Sequence, residues 1–393
     1  MRFFLEQCLC SVQKAIEKTD AEILVVDNAS TDESIAYLQP LFPSVRFITN
    51  TTNEGFAKAN NKALKIATGK YVLFLNPDTI VSENSFTDCV SFFEKNENAG
   101  SVGIKMIDGS GRFLPESKRS FPTLFSSFFK MSGLAFLFNQ SGFFNKYALG
   151  NLNENNIHAV DVTAGAFMMV KKELLQSLNG FDESFFMYGE DIDLSYRIRQ
   201  KGFQNYYLGN NTIIHFKGES SRKQSVQYIQ SFYGAMIVFV KKHYKKIPSF
   251  FFSLLIRFTI FCRIVLHFFL PRRTTQNRYL LTKTIVAGSV EAYKNILQLL
   301  EKENLQSVIS GRISISKNKS SYLKLLQQLK QQNIREIIFC EGELSYHQII
   351  SIIEQLPHHY KYYFFSVNGN SIVSSHSKVS SGQTIPEKNS YLA

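Results

Sequence analysis

Two short apolar runs that each end on an aspartate constrain this chain more than any other feature. Residues 23–27, Ile-Leu-Val-Val-Asp, and residues 70–75, which run on into Asn76-Pro77-Asp78, have the length and composition of buried parallel strands. Between them Val45–Ile48 reads as another strand. Phe56–Ala67, rich in alanine and followed by Gly69, reads as a helix. Strands alternating with helices at this rhythm predict an open α/β sheet. Ligands of such sheets gather at the carboxyl ends of the strands, where Asp27 and Asp78 stand. Such a domain ordinarily opens on an apolar strand, yet here Phe3–Lys18 already reads as the first helix. The first strand is therefore expected to be missing, through a misassigned start or a truncation.

The rest of the chain divides by character. Residues 110–157 are irregular and are expected to include a mobile loop over an acceptor region. Ala164–Leu175 returns to an apolar pattern. Pro248–Leu270 is strongly apolar, broken only by Arg257, Arg263 and His267. Two arginines near mid-span disfavour a true crossing, so an interfacial or re-entrant helix is expected ahead of a spanning or soluble one. From Tyr279 strands (Thr284–Gly288, Val308–Ile315, Ile334–Cys340) and helices (Val290–Glu303, Tyr322–Gln332, Tyr346–Leu356) alternate again. They predict a second, smaller α/β module. The tail after Ser374 is Ser-rich and expected to be disordered. The division is thus 1–245, 246–278, 279–373 and 374–393.

The formal net charge of +12 favours anionic partners. Lys241, Lys242, Lys245 and Lys246 on one side and Arg272 and Arg273 on the other bracket the apolar stretch, which suits an anionic membrane surface better than nucleic acid. Cys8, Cys10, Cys89, Cys262 and Cys340 are odd in number and show no metal-type spacing, which fits a reducing cytoplasm. No signal peptide is visible in the first residues.

Five segments carry candidate chemistry. In the first, Asp27-Asn28-Ala29-Ser30, a strand-end carboxylate can accept a hydrogen bond from a base imide, or it merely caps the next helix. In the second, Gly55 before a helix permits close approach of a ligand, with Lys58 and Asn61 placed to face a sugar nucleotide. In the third, Asn76-Pro77-Asp78, a hard oxygen ligand suits Mg or Mn, which would neutralise a departing diphosphate. The fourth is the densest: Asp182, Glu183, Glu190, Asp191 and Asp193 put five acids within twelve residues. Asp191, at a helix start, is placed to take a proton from an acceptor hydroxyl. The bland alternative is that these acids only supply N-terminal helix charge. In the fifth, His215 after an apolar pair can complete a metal site, although lone histidines are usually structural.

In this order the five segments resemble glycosyltransferase family 2, of GT-A fold, and most of all its bacterial rhamnosyltransferase-type branch. The matching stretches are VVDNASTD, NEGFAKANN, LNPDT, AGAFMMVKK, GFDESFFMYGEDIDLSYRIRQKG and IIHFKGES, across about residues 3–245. The resemblance implies an inverting, single-displacement, metal-dependent transfer from a nucleotide-diphosphate sugar to a glycan or lipid-linked acceptor. It implies Asp27 at the nucleobase, Asp78 at metal and diphosphate, Asp191 as base, Glu190 at a sugar, and His215 at the metal. Asn76 stands where the family often has an aspartate. The missing strand carries part of the family's nucleobase pocket. The second module is similar, more faintly, to the nucleotide-binding-like domain ahead of bacterial sugar-phosphate transferases, but Ile285–Gly288 lacks a full GxGxxG pattern. The expectation is a transferase at the cytoplasmic face of a bacterial plasma membrane, with dTDP-rhamnose as a family-level guess at the donor. The alternative is a non-catalytic, membrane-tethered assembly module derived from such an enzyme.

Overall fold

The computed structural model describes residues 1–121, 149–216, 226–244, 281–315, 319–375 and 382–386. The apolar segment 248–270, its flanking Lys245, Lys246, Arg272 and Arg273, and most of the irregular 110–157 stretch lie outside the described residues. Among the described residues no helix is long and apolar enough to cross a membrane.

The α/β expectation holds. Helix α1 (Arg2–Ile16) is followed by β1 (Ile23–Asp27), α2 (Ser34–Leu38), β2 (Val45–Thr49), α3 (Phe56–Ile66), β3 (Tyr71–Leu75), β4 (Thr79–Ile80), α4 (Ser85–Lys95) and β5 (Ala99–Ile107). After β6 (Lys118–Arg119) come β7 (Ile157–Val160), β8 (Val162–Thr163), β9 (Phe167–Lys171), α5 (Lys172–Ser177), α6 (Glu190–Gln200), β10 (Gln204–His215) and α7 (Val226–His243). The main sheet runs β3-β9-β5-β10-β4, with β7 on β10. Every residue of β5, which lies between β9 and β10, is buried.

The two strands that the sequence reads as buried and parallel depart from that reading. β1 is parallel to β2, but the pair stands apart from the main sheet, and all five residues of β1 are half-buried. β3 pairs antiparallel with β9 and ends the main sheet, with only Phe74 fully buried. A strand with one described neighbour keeps one edge open, so an apolar run there cannot be enclosed as a central strand would be. Helix α1 covers both parts: Cys8, Val12 and Ala15 pack into the main-sheet core, while Leu9 and Cys10 pack with Leu38, Phe42 and Val45.

The C-terminal residues form their own sheet, as expected. β11 (Thr284–Ala287), α8 (Val290–Lys302), β12 (Ile309–Ile313), α9 (Lys319–Gln331), β13 (Glu336–Cys340), α10 (Tyr346–Gln355), β14 (Lys361–Phe365), β15 (Ile372–Ser374) and β16 (Gln383–Ile385) occur in that order. The sheet order is β12-β11-β13-β14-β15-β16, parallel through β14. Local chemistry sets the helix starts: Ser289 accepts from the Ala292 N–H, and Ser345 with Gln348 closes a capping box. Order extends past the expected end of structure at Ser374. β16 pairs with β15 and buries Thr384 and Ile385, so a Ser-rich flank does not prevent a short pleated segment from closing the sheet.

The two sheets share a core. Phe3, Phe4, Ile80, Ile107, Ile214 and Phe216 belong to the same buried cluster as Ile337, Ile353 and Phe364 of the C-terminal module. Polar contacts cross the same boundary. Gln7 Nε2 donates to the Ser371 carbonyl at 2.9 Å, the Asn370 N–H donates to Glu6, which also accepts the Tyr37 hydroxyl from its own side, and Lys105 pairs with Glu354 at 2.9 Å. Burial pushes the Glu6 carboxyl above its ordinary range, against these hydrogen bonds that hold it down.

Candidate active site

Asp78 sits in the turn between β3 and β4, fully buried, and neither of its carboxylate oxygens has a hydrogen-bond partner. His215, the last residue of β10, brings its Nε2 to 3.4 Å from Asp78 Oδ1. The antiparallel pairing of β10 with β4 sets His215 opposite Thr79, which is what brings two residues so distant in sequence together. The amide nitrogen of Asn76 lies 3.3 Å from the same Nε2, and His215 Nδ1 is buried without a partner. A desolvated carboxylate with both oxygens open is costly unless something positive meets it. The donor set, one carboxylate, one imidazole and a nearby amide, fits a divalent cation that takes its remaining ligands from a diphosphate. Among the described residues no group of three His, Cys, Asp or Glu side chains assembles, so these residues offer only part of a coordination sphere.

Asp191 lies in the first turn of α6, where Gly189 at φ 83° and Tyr188 at φ 69° turn the chain into the helix. Its Oδ1 accepts the Ile192 N–H at 2.8 Å, and its Oδ2 accepts the Gly165 N–H at 3.0 Å and Arg119 Nη2 at 2.5 Å. The next residue along from Gly165 accepts the Asn76 N–H through its carbonyl, Ala166 O, at 3.0 Å. One turn, Gly165-Ala166, therefore touches both the Asp78 loop and Asp191, and sets the two acids on either side of it. Gly165 eases that closeness: a Cβ there would lie 3.3 Å from the Asp191 Cβ and press on it by a few tenths of an ångström.

Glu190 is buried beside Asp191, and its Oε2 has no partner. Burial, then the charge of Asp191, pushes its carboxyl up to about 8. At neutral pH it therefore holds its proton and can donate a hydrogen bond. The folded-state value is raised above the ordinary value of 4.5. The favourable contribution is thus full below about pH 4.5 and is lost as pH rises through about 8. Glu190→Gln, in EDTA, is expected to melt about 2 °C or more above the parent at pH 9. That gain should vanish near pH 4.5, as read by thermal melts across pH. A pH-independent difference would remove the buried-acid reading.

Asp193, the third acid of this helix, has a different job. It is fully buried and accepts from Arg197 Nε at 2.6 Å, Lys242 Nζ at 2.8 Å and His243 Nε2 at 2.7 Å. Burial opposes its ionisation, but His243, Arg197 and Lys242 outweigh it and hold its carboxyl down to about 2. Lys242 also pairs with Asp182. Arg197 reaches on to the carbonyls of Leu178 at 2.8 Å and Gly180 at 2.9 Å. The cluster clamps α7 and the loop before Glu190 onto α6. Removing one partner of a buried ion network leaves the others uncompensated, so Asp193→Asn is expected to destabilise by ~3–5 kcal/mol. Chemical denaturation checks this, and a change under about 1 kcal/mol would contradict the clamp.

The residues expected at the nucleotide end gather elsewhere, largely spent on one another. Asp27 accepts the Ser30 N–H at 3.2 Å within its own turn and does not cap the next helix, which starts at Ser34 without a side-chain cap. Asn28 is a hub: it accepts from Asn50 Nδ2 and the Glu54 N–H and donates to Asn53 and the Gly55 carbonyl. Gly55 has φ 83°, and a Cβ there would collide with the Phe186 carbonyl. Its need for glycine is therefore set by the chain's own backbone rather than by a ligand. Asn61 is buried, with its amide on Phe181 and Glu183. It braces the acidic loop. Lys58 is exposed, 3.6 Å from Glu54.

Arg119 escaped the sequence reading. It lies 72 residues from Asp191, in a two-residue strand, and no spacing connects it to the acid it pairs with. The Lys118-Arg119 pair is the only local signal, and Lys118 is buried with its ammonium on the Leu149 and Leu152 carbonyls.

Known proteins share this chain's sequence pattern. Residues 4–175 match the model of glycosyl transferase family 2. An N-acetylglucosaminyl-diphospho-decaprenol L-rhamnosyltransferase of Mycobacterium tuberculosis is 24% identical over 247 residues, 60% of this chain and 79% of the relative. Rhamnosyltransferase WbbL of Escherichia coli is 30% identical over 175 residues, 43% of this chain and 63% of the relative. Among solved structures, S. aureus TarS 1–349 is 16% identical with a TM-score of 0.40, covering 96% of this chain and 94% of that one.

Proposed function

We propose that this chain, which belongs to glycosyl transferase family 2 over residues 4–175 and is a glycosyltransferase of the rhamnosyltransferase-like branch, moves a sugar from a nucleoside-diphosphate donor to a glycan or lipid-linked acceptor with inversion. The observation that carries this is the pair of buried acids whose segments share the Gly165-Ala166 turn: Asp78 with both oxygens open, and Asp191 fixed by Gly165 and Arg119. An assembly module with no chemistry would gain nothing from an unpartnered buried carboxylate, whose burial is unfavourable. A cation held by Asp78 and His215, with Asn76 beside them, would supply charge neutralisation on the leaving diphosphate.

The chain's own residues do the remaining work. Asp191 takes the proton of the acceptor hydroxyl as its oxygen bonds to the anomeric carbon, while the bond from that carbon to the diphosphate oxygen breaks on the opposite face. Arg119 and the Gly165 and Ile192 N–H groups fix the carboxylate for that attack. Glu190, holding its proton at neutral pH, donates to a sugar hydroxyl. The named activities of the relatives make an activated rhamnose the first donor to try, with dTDP as the carrier that the family resemblance suggests, and a polyprenyl-diphosphate glycan the first acceptor. Of the basic residues flanking 248–270, Lys242 is spent on Asp182 and Asp193, and the others suit an anionic membrane face, where such an acceptor would lie.

The experiment is a donor panel of nucleotide sugars with Mn2+ or Mg2+, tracking release of nucleoside diphosphate and the anomeric configuration of any product. Release from one donor with inverted configuration is expected. No turnover with any donor, or a retained configuration, would sink the reading.

A further inference from the structure

We propose that the C-terminal module acts as a buttress for the His215 side of the site, with Phe216 and Phe364 as positioning residues. This rests on the reading of Asp78 and His215 as a divalent-cation site. His215 ends β10, and the next residue, Phe216, turns away into the core shared with the module. The Phe216 ring is held on two sides, by Phe4 of α1 with centroids 5.2 Å apart and by Phe364 of β14 at 5.3 Å, both edge-on. Its backbone N–H donates to the Asp78 carbonyl at 2.8 Å. Phe216 therefore touches the Asp78 backbone with one end and the C-terminal sheet with the other, and it is bonded directly to His215.

The module is fastened on both sides of that contact. The Glu83 carboxylate, just past β4, accepts the Tyr346 N–H at 2.7 Å and the His347 N–H at 2.9 Å at the start of α10. Glu354 near the end of α10 takes Lys105 at 2.9 Å from β5 and Thr212 Oγ1 at 3.2 Å from β10. The backbones come so close that a Cβ on Gly109 would collide with the Ser375 carbonyl and lie 3.1 Å from the Phe216 ring. Packed aromatic rings in a close-packed core resist sub-ångström displacement. The His215 ring is held at Nε2 by Asn76 and Asp78 but makes no hydrogen bond through Nδ1, so its placement also depends on its backbone and on what packs behind it. In metal sites the groups behind the ligands set affinity, and their loss typically costs 10–100-fold.

The test uses the full chain and measures Mn2+ binding directly, from the free-ion electron paramagnetic resonance signal in the presence of dTDP. Phe364→Leu keeps an apolar side chain but withdraws the ring edge from Phe216. Ile296→Val lies in the module's other core cluster, remote from Phe216, and reports the effect of lost stability alone. Phe364→Leu is expected to weaken Mn2+ binding about tenfold, with Ile296→Val matching the parent within about twofold. Parent-like Mn2+ affinity in Phe364→Leu would overturn the buttress alone, as would equal weakening in both variants. Failure of the parent chain itself to bind Mn2+ would remove the cation reading and this inference with it.

Discussion

Asp191→Asn is expected to lower turnover about 10²–10⁴-fold while dTDP affinity stays within about twofold. The amide keeps one oxygen, which retains either the Gly165 or the Ile192 N–H but not both, because the carboxylate accepts them on different oxygens. It cannot take a proton from an attacking hydroxyl. The complication is Arg119, which would lose its counter-charge in a pair only 13% exposed on each side. Removing one partner of such a pair can cost ~3–5 kcal/mol, so folding must be checked by thermal melt alongside turnover. Asp191→Glu is the second variant. It keeps the charge for Arg119 and should fold like the parent, yet it displaces the carboxylate by a methylene and should still lose at least about tenfold in kcat. Parent-like kcat in either folded variant would show that another group takes the proton.

Asp78→Asn is expected to separate stability from activity in the opposite sense. Both oxygens of Asp78 lie buried with no hydrogen-bond partner, and the imidazole of His215 lies 3.4 Å away. An asparagine there removes a desolvated charge without breaking a hydrogen bond to the carboxylate oxygens. Without metal the variant should melt at or above the parent temperature. With donor and Mn2+ it should lose ~100-fold or more in turnover, since neutralising a leaving diphosphate is worth several kcal/mol. Mn2+ should also cease to raise its melting temperature, as it should for the parent by mass action. A variant that melts well below the parent in EDTA, or that keeps its Mn2+ dependence, would show that Asp78 is a structural acid.

Much of the frame was legible in the sequence because the signals behind it are local. Apolar runs such as Ile23–Asp27 and Thr284–Ala287 emerged as strands within a residue or two of their expected ends. The turn after β3 put Asp78 where a strand-end acid was expected, and the Gly189-Glu190-Asp191 turn started a helix as its residues predict. Asn28, Gly55 and Asn61 illustrate the opposite. Polar and glycine residues near a strand end look the same whether they face a ligand or hold the chain's own loops. Here Asn28 and Asn61 are occupied by backbone and side-chain partners, and Gly55 makes room for the Phe186 carbonyl.

The acid cluster 182–193 makes the same point within one helix turn. The sequence supplied five carboxylates and no means of ranking them beyond helix position. Burial and partners separated them: Glu190 is left protonated at neutral pH, Asp191 is fixed by Arg119, and Asp193 is neutralised by His243, Arg197 and Lys242. By itself the sequence determined the alternation of strands and helices, the second α/β module and the acids from which a site could be built. Those depend on hydrophobic period and turn chemistry, which act over a few residues. Only the tertiary structure decided which acids are desolvated, that Arg119 meets Asp191, that β1 and β2 stand apart from the main sheet, and that Phe364 backs Phe216 beside His215. Each of these rests on packing between residues tens to hundreds of positions apart, where the energy of a charge or a ring is set by what surrounds it rather than by its neighbours in the chain.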